Sequence, residues 1–364
     1  MKVKISKTAI LEGLQMGYGI INPRTTLPIL QNVLIRAEKG KLWFTTTDLE
    51  VSVRCAVEAE VFKAGASTVP ARRFVSIVKE LASDDIELEV DEKHAATIKS
   101  GASFFKIVGT SDDEFPPLAD SQGKFSYTME QKTFKEMLNN VAYSASSDET
   151  RYVLNGVLLN FAGDKLTMVA TDGKRLALAE HDMEFPKEAE AEMILPTKVV
   201  AQLLYVLKDE GQMKICCAGN QSVFEFGDTL VVSKLVEGSY PNFRQVIPSQ
   251  SAERVSIERE TLLNAVRRVA LLTSDKSNSV KLQFAKNKLK ISVTTPEVGE
   301  AHETIAVKYA GKEINVAFNP EYLMDPLRHL PNDEIFLELT DDLSPGVIKC
   351  DTPFLYVLMP MRLT

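Results

Sequence analysis

Between Arg151 and Glu180 the chain alternates short apolar runs with Gly/Asp turns. Val157 to Phe161 is apolar, Ala162-Gly163-Asp164 turns, and Leu166 to Ala170 alternates. Thr171-Asp172-Gly173 turns again and Leu176 to Ala179 closes a three-stranded meander. The same pattern occupies Asn32 to Arg54, at one constant offset: Leu42 stands for Leu166, and Thr47-Asp48 for Thr171-Asp172. A fainter third copy runs from Ser279 to Ile305, with Leu289 in the place of Leu166. Register kept across unlike side chains marks an internal repeat.

Apolar residues spaced by three and four predict an amphipathic helix opening each repeat. The first starts at Ser6, a candidate N-cap, and runs past Leu14. The others run from Thr133 through Val141 and from Thr261 through Ala270. A second helix is predicted over 71–81, 197–207 and 320–330, each with a proline near its first turn, where a missing N–H costs nothing. Pro326 lies inside the third of these and predicts a kink or a late start. Alternating strands close each repeat, over 86–90 and 97–108, 213–218 and 222–235, and 334–340 and 346–359. Segments 112–123 and 241–253 read as linkers. The expectation is an α+β protein of three tandem repeats, 1–123, 124–250 and 251–364, each with two helices packed on antiparallel sheets.

Composition changes this picture little. The chain has 364 residues, 45% hydrophobic and 25% charged, so each repeat is long enough for its own core. Cys55, Cys216, Cys217 and Cys350 form no Cys-x-x-Cys pair, and neighbours on a strand point to opposite faces. Reduced thiols, no apolar leader in MKVKISKTAILEGLQ and no membrane-length apolar run predict a cytoplasmic protein without a membrane partner. The formal net charge of −8 opposes indiscriminate binding to anionic polymers. The six predicted helices nevertheless carry a small net positive charge, which places what positive potential exists on the helical layer.

Candidate catalytic chemistry is thin. His94, His181, His302 and His329 are scattered, and no nucleophile elbow, phosphate loop or metal-spaced His/Cys set occurs. No metal or cofactor is implied. Asp48 and Asp172 hold equivalent positions in two repeats, with Thr295 in the third copy. Following Thr at a strand end, they suit a turn in which the carboxylate accepts backbone amides. An enzyme built on them would need Asp172 for activity. A scaffold that never touches DNA would not need the basic residues named below.

An ordered set of motifs carries a further reading. It comprises Arg24-x-Thr26-Leu27-Pro28-Ile29-Leu30-x-Asn32, Thr47-Asp48-Leu49-Glu50, Val69-Pro70-Ala71-Arg72 and Arg151-Tyr152-x-Leu154-Asn155-Gly156. It continues with Ala170-Thr171-Asp172-Gly173-x-Arg175-Leu176, Ser233-Lys234-Leu235, Tyr240-Pro241-x-Phe243 and Met359-Pro360-Met361-Arg362-Leu363. Together these resemble the bacterial DNA polymerase III beta subunits, the sliding clamps, across the whole chain. The resemblance implies no enzyme. It implies a ring-forming, head-to-tail homodimer of DNA-clamp repeats that encircles double-stranded DNA without reading its sequence and confers processivity on the replicative polymerase. Its implied DNA contacts are Arg24, Arg72, Tyr152 and Lys198, with Arg73 beside them; Val153 stands where the family often has a second aromatic. Its implied interface joins Phe105 to Leu271 and Leu272 of a second copy. Its implied peptide pocket, between repeats two and three, comprises Leu154, Thr171, Gly173, Arg175, Leu176, Pro241, Val246, Val357, Met359, Pro360 and Met361. Arg175 and Arg362 would hold peptide carboxylates or carbonyls there. Implied partners are the DNA polymerase III catalytic subunit, the clamp loader, and other DNA polymerases and repair proteins with clamp-binding motifs.

Overall fold

The structure, a computed structural model, describes residues 1–118, 125–274, 278–296 and 298–362. The first repeat comprises β1 (Lys2–Ser6), α1 (Lys7–Tyr18), β2 (Asn32–Glu38), β3 (Lys41–Thr47), β4 (Val51–Glu58), β5 (Glu60–Lys63), β6 (Gly65–Pro70), α2 (Ala71–Glu80), β7 (Asp85–Val90), β8 (Ala95–Ser100) and β9 (Ser103–Val108). The second comprises β10 (Ser126–Glu130), α3 (Gln131–Val141), β11 (Gly156–Phe161), β12 (Lys165–Thr171), β13 (Arg175–Asp182), β14 (Ala191–Pro196), α4 (Thr197–Val206), β15 (Gln212–Ala218), β16 (Gln221–Phe226) and β17 (Thr229–Lys234). The third comprises β18 (Glu253–Glu258), α5 (Arg259–Val269), β19 (Val280–Ala285), β20 (Lys288–Thr295), β21 (Gly299–Ala306), β22 (Ile314–Phe318), α6 (Pro320–His329), β23 (Glu334–Leu339), β24 (Gly346–Lys349) and β25 (Phe354–Leu358).

Four expectations need correction. Each repeat opens on a strand that runs into the first helix, so Ser6 ends β1 and caps α1 by accepting from Ala9 N–H at 3.1 Å. The long closing runs at 97–108, 222–235 and 346–359 are each folded back on themselves, giving β8–β9, β16–β17 and β24–β25. Helix α6 runs unbroken through Pro326, with no late start. Pro326 removes the N–H that would reach Tyr322, and the Tyr356 hydroxyl donates to that freed Tyr322 carbonyl at 2.7 Å instead. The segment 241–253 is no plain linker: it holds a short 3-10 turn, Phe243–Val246, and buries Phe243. The first linker, 112–123, forms a short 3-10 turn at Asp112–Glu114, and its residues 119–123 lie outside the described part.

The chain divides into two compact units, Met1–Lys135 with Lys198–Leu235, and Glu136–Thr197 with Val236–Thr364. In the first unit the sheets run β5-β1-β7-β8-β9 and β10-β15-β16-β17-β4-β3-β2-β6. In the second they run β14-β11-β12-β13-β25-β24-β23-β18 and β21-β20-β19-β22. Each eight-stranded sheet therefore joins two repeats. The second repeat's last strand pairs with the first repeat's third meander strand, Val231 opposite Val53. The third repeat's last strand pairs with the second repeat's third meander strand in the same way, Tyr356 opposite Ala177.

The core of the first unit shows why its helices lie on the sheets. Ile10 and Leu14 of α1 and Phe74 and Val78 of α2 pack with Ile35, Phe44, Ile86 and Leu88, all nearly inaccessible. Gly17 of α1 has no room for a side chain against Thr46, whose hydroxyl donates to the Gly17 carbonyl at 3.0 Å. Burying each such aliphatic or aromatic side chain contributes roughly 1.5–3 kcal/mol before the entropy of ordering is subtracted.

The repeated Thr-Asp turns are built alike. Asp48 Oδ1 accepts from Glu50 and Val51 N–H at 3.0 and 2.8 Å, and Asp172 Oδ1 from Lys174 and Arg175 N–H at 2.8 and 3.1 Å. Thr47 and Thr171 hydroxyls accept from Leu49 and Gly173 N–H. These carboxylates hold backbone, as the sequence pattern suggests, and are not arranged for catalysis.

Candidate functional sites

Within the second unit, one face of β11, β12, β13 and β25 carries Leu158, Val169, Leu176 and Val357. Leu154, Tyr240 and Phe243 close over them in one buried cluster. The chain from Val236 to Ile247 thus lies across the sheet and turns it into a walled floor. Burial pushes the Tyr240 hydroxyl pKa well up, so it stays protonated.

The rim is open. Met359, Met361 and Val246 are 43%, 37% and 49% exposed, and Pro241, Gly173 and Arg362 are exposed too. The Met359-Pro360-Met361 segment forms a strap. Met359 N–H donates to the Lys174 carbonyl at 3.0 Å and Met361 N–H to the Ala317 carbonyl at 2.8 Å. The strap so ties the end of β13 to the end of β22. Exposed thioethers that follow directly on the buried floor residues of β25 give an adaptable apolar surface. Gly173 is in the left-handed region at φ 87°. Leu343, 72% exposed, sits on the loop that enters β24 beside Leu358.

Arg175 differs from expectation. Its side chain is only 10% exposed and its guanidinium is already engaged by Asp172, Asp325 and the Tyr143 carbonyl. It also lies over the Tyr322 ring, 4.3 Å from the centroid. Burial opposes its charge, but the surrounding acceptors hold its pKa above the ordinary value. Arg175 is a strut between β13 and α6, with its donors already engaged. Nothing local in the sequence pointed to Asp325 or Tyr143 as its partners.

Of the implied DNA contacts, the four basic residues lie in the first unit and Tyr152 in the second. In the first, Arg24 is exposed in the segment after α1, and Arg72 and Arg73 are exposed in the first turn of α2. Cations at a helix N-terminus oppose the macrodipole, so their placement there costs stability and is not explained by folding. Lys198, in the first turn of α4, pairs with Asp48. Tyr152, in the second unit, is 60% exposed.

Among the sheet edges of the described residues, those at β9 and β21 bear on the implied interface. Strand β9 ends the five-stranded sheet and exposes Phe104, Phe105 and Val108 at 62%, 38% and 77%. Strand β21 ends the four-stranded sheet. Beside its first residue, Gly299, lies Leu272, next to Leu271, which is 79% exposed. Phe105 and Leu271 are therefore not intrachain core. Cys216 is buried while its neighbour Cys217 is half-buried, as neighbours on one strand should be, and all four cysteines are free. Among the described residues no cluster of metal-ligating side chains occurs, and no helix is long and apolar enough to cross a membrane.

Comparison with known proteins covers the whole chain. Residues 1–119, 128–242 and 244–362 match the N-terminal, central and C-terminal domains of the DNA polymerase III beta subunit. The beta sliding clamp of Chlamydia muridarum is 35% identical over 100% of this chain and 99% of its own length. That of Salmonella typhimurium is 34% identical over all of both chains. Among solved structures, a sliding clamp from Pseudomonas aeruginosa bound to griselimycin superposes with a TM-score of 0.96 at 32% identity, covering 100% of both chains. The DNA polymerase sliding clamp from Bacillus subtilis gives 0.95 at 28%, also over 100% of both.

Proposed function

The chain belongs to the DNA polymerase III beta subunit family, the beta sliding clamps, and from that premise we propose which of its residues carry out a clamp's work. A sliding clamp holds the replicative polymerase on DNA and has no catalytic activity of its own. The three repeats, bounded at 1–123, 124–250 and 251–364, are the units of that assembly.

The observation that carries the reading is the pair of open edges. β9 is the equivalent of β17 and β25, each of which pairs with another repeat. β21 is the equivalent of β4 and β13, the strands they pair with. One junction of the same kind is left to make, between β9 of one copy and β21 of another. Such a contact is heterologous and closes when two copies meet head to tail. Closure also removes two exposed edges that would otherwise invite aggregation. Phe105 of one copy then meets Leu271 and Leu272 of the other.

Inside the ring, Arg24, Arg72, Arg73, Tyr152 and Lys198 contact duplex DNA. Contacts of this kind are salt-sensitive and blind to sequence, which lets a ring slide. Asp48 tempers Lys198 and keeps that contact weak.

The strapped groove receives short segments of partner proteins. Leu154, Thr171, Leu176 and Val357 form its floor, Pro241 and Val246 one wall, and Gly173, Met359, Pro360, Met361 and Arg362 its rim, with Arg175 bracing it. Its partners are the DNA polymerase III catalytic subunit, the clamp loader, and other polymerases and repair proteins with clamp-binding motifs. These partners act in the cytoplasm, where the protein is placed with them.

Retention after loading tests the ring. The protein should stay on nicked circular DNA and run off the same DNA once linearised. Equal retention on both would exclude encirclement, whatever the individual contacts do.

A further inference from the structure

The apolar face under the groove does not end at Leu176 and Val357. Those two residues lie opposite each other across β13 and β25, and the next pair on the same face is Leu178 and Leu355. Both belong to the same apolar cluster, and both are only half-buried. They floor a second cavity of about 540 Å³, walled by Phe243, Ile247 and Pro353. Phe243 stands between the two: it lies over the first floor and lines the second cavity. The two depressions are successive rows of one sheet face, about 7 Å apart along the strand.

The charges around the second cavity are unequal in their commitments. Glu180 is paired with Lys165 at 3.0 Å, and Lys349 with Glu338 at 2.8 Å. Arg244 is exposed, and its guanidinium lies over the Phe243 ring, 4.9 Å from the centroid. Among the described residues it has no carboxylate partner. The one uncommitted charge at the cavity mouth is positive.

We propose that this second cavity receives an apolar side chain, with a neighbouring carboxylate on Arg244, from the stretch of a partner protein that flanks the segment seated in the strapped groove. The proposal rests on that groove being the partner site. Continuity of the face means that a chain leaving the groove along β13 passes the second cavity within two or three residues. An aliphatic residue there buries against Leu178 and Leu355, and the acid finds a planar donor already stacked on an aromatic ring. The first groove then supplies binding common to all partners, and the second distinguishes those with an apolar and acidic flank from those without.

The test uses the full-length protein and two probes: the whole catalytic subunit of the cognate replicative polymerase, and the short peptide of that subunit that binds alone. Arg244→Glu reverses the charge, and Ser249→Trp fills the cavity from an exposed position. Both variants should bind the short peptide within about twofold of wild type and the whole subunit at least tenfold more weakly. Unchanged affinity for the whole subunit in both variants overturns the second cavity and leaves the groove standing. Leu176→Ser serves as the control on the groove itself. If that variant binds the short peptide normally, the groove is not the partner site, and the proposal falls with it.

Discussion

Arg175 of β13 and Asp325 of α6 form an ion pair that joins two repeats within one unit, with side chains only 10% and 19% exposed. Arg175 is the strand neighbour of Leu176 in the proposed groove, and Arg328 shares Asp325 at 3.0 Å. Removing one member of a buried pair leaves the other charge stranded, which costs roughly 3–5 kcal/mol in full burial. Here Arg175 keeps Asp172 and the Tyr143 carbonyl, so Asp325→Ala should cost less, about 2 kcal/mol. Urea denaturation would measure it. The same variant should weaken partner-peptide binding, because the wall that Arg175 braces is loosened. Wild-type affinity in a destabilised variant would separate the strut from the site.

Leu49 and Gly173 hold one backbone position in two repeats, at φ 75° and 87°. The turn needs a left-handed residue there, and only the second repeat supplies glycine. Leucine in that region costs about 1–2 kcal/mol. Leu49→Gly should therefore stabilise the protein, by less than that amount, since glycine also loosens the unfolded chain. Gly173→Ala should destabilise by about 1 kcal/mol, its Cβ meeting Arg151 Nη1 at 3.2 Å. Thermal melts of the two variants should move in opposite directions. A shift in the same direction for both would show that the turn is not the common cause.

The contrast explains what the sequence makes legible. Turn chemistry is local, so the Thr-Asp turns, the six helices and the three meanders can be read directly. The opening strands are local too, yet β1 is KVKIS, whose lysines mask a period-two strand running straight into a helix. Pairing across repeats is not local. Nothing in the text of β17 says that it will lie beside β4, and without that junction the open edges at β9 and β21 carry no meaning. The same holds for Pro326, whose helix survives through a hydroxyl from Tyr356, and for Arg175, whose acceptors come from three separate segments. The motif order names the residues proposed for the groove, but their division into floor, rim and strut depends on contacts between distant segments.

His329 gives the protein an acid limit. Its ring meets Tyr143 edge-on at 4.7 Å, and burial holds its pKa below the ordinary 6.5, with Asp325 and Arg328 pulling in opposite directions. The unfolded state then takes up a proton at higher pH than the folded one. The contribution is fully present above about pH 6.5 and is lost as pH falls through the lower folded value. Stability should decline on acidification below that point. His329→Phe keeps an aromatic edge against Tyr143 and removes the titration, so its profile should be flatter. Parallel profiles for the two proteins would assign the acid limit to other groups.

The two existing junctions also predict the register of the missing one. Val231 faces Val53 at the first, and Tyr356 faces Ala177 at the second, both antiparallel. Ser100 and Ser103 flank the turn of β8–β9 as Phe226 and Thr229 flank that of β16–β17, which makes Phe105 the equivalent of Val231. Val293 faces Ala301 in the third meander as Ala170 faces Ala177 in the second, which makes Ala301 the equivalent of Ala177. Phe105 of one copy should therefore lie opposite Ala301 of the other. The adjacent outward pairs are then Phe104 with His302 and Lys106 with Glu300, the last of opposite charge. Directly opposed residues on antiparallel strands come within disulfide reach. A chain carrying Phe104→Cys and His302→Cys should cross-link under mild oxidation into a covalently closed dimer, seen on a denaturing gel. Loaded on nicked circular DNA in the reduced state and oxidised there, the dimer should resist the clamp loader's unloading until reductant is added. Cross-linking of Phe104→Cys with Glu300→Cys instead would shift the register by two residues. If neither pair links at all, the head-to-tail edge is elsewhere.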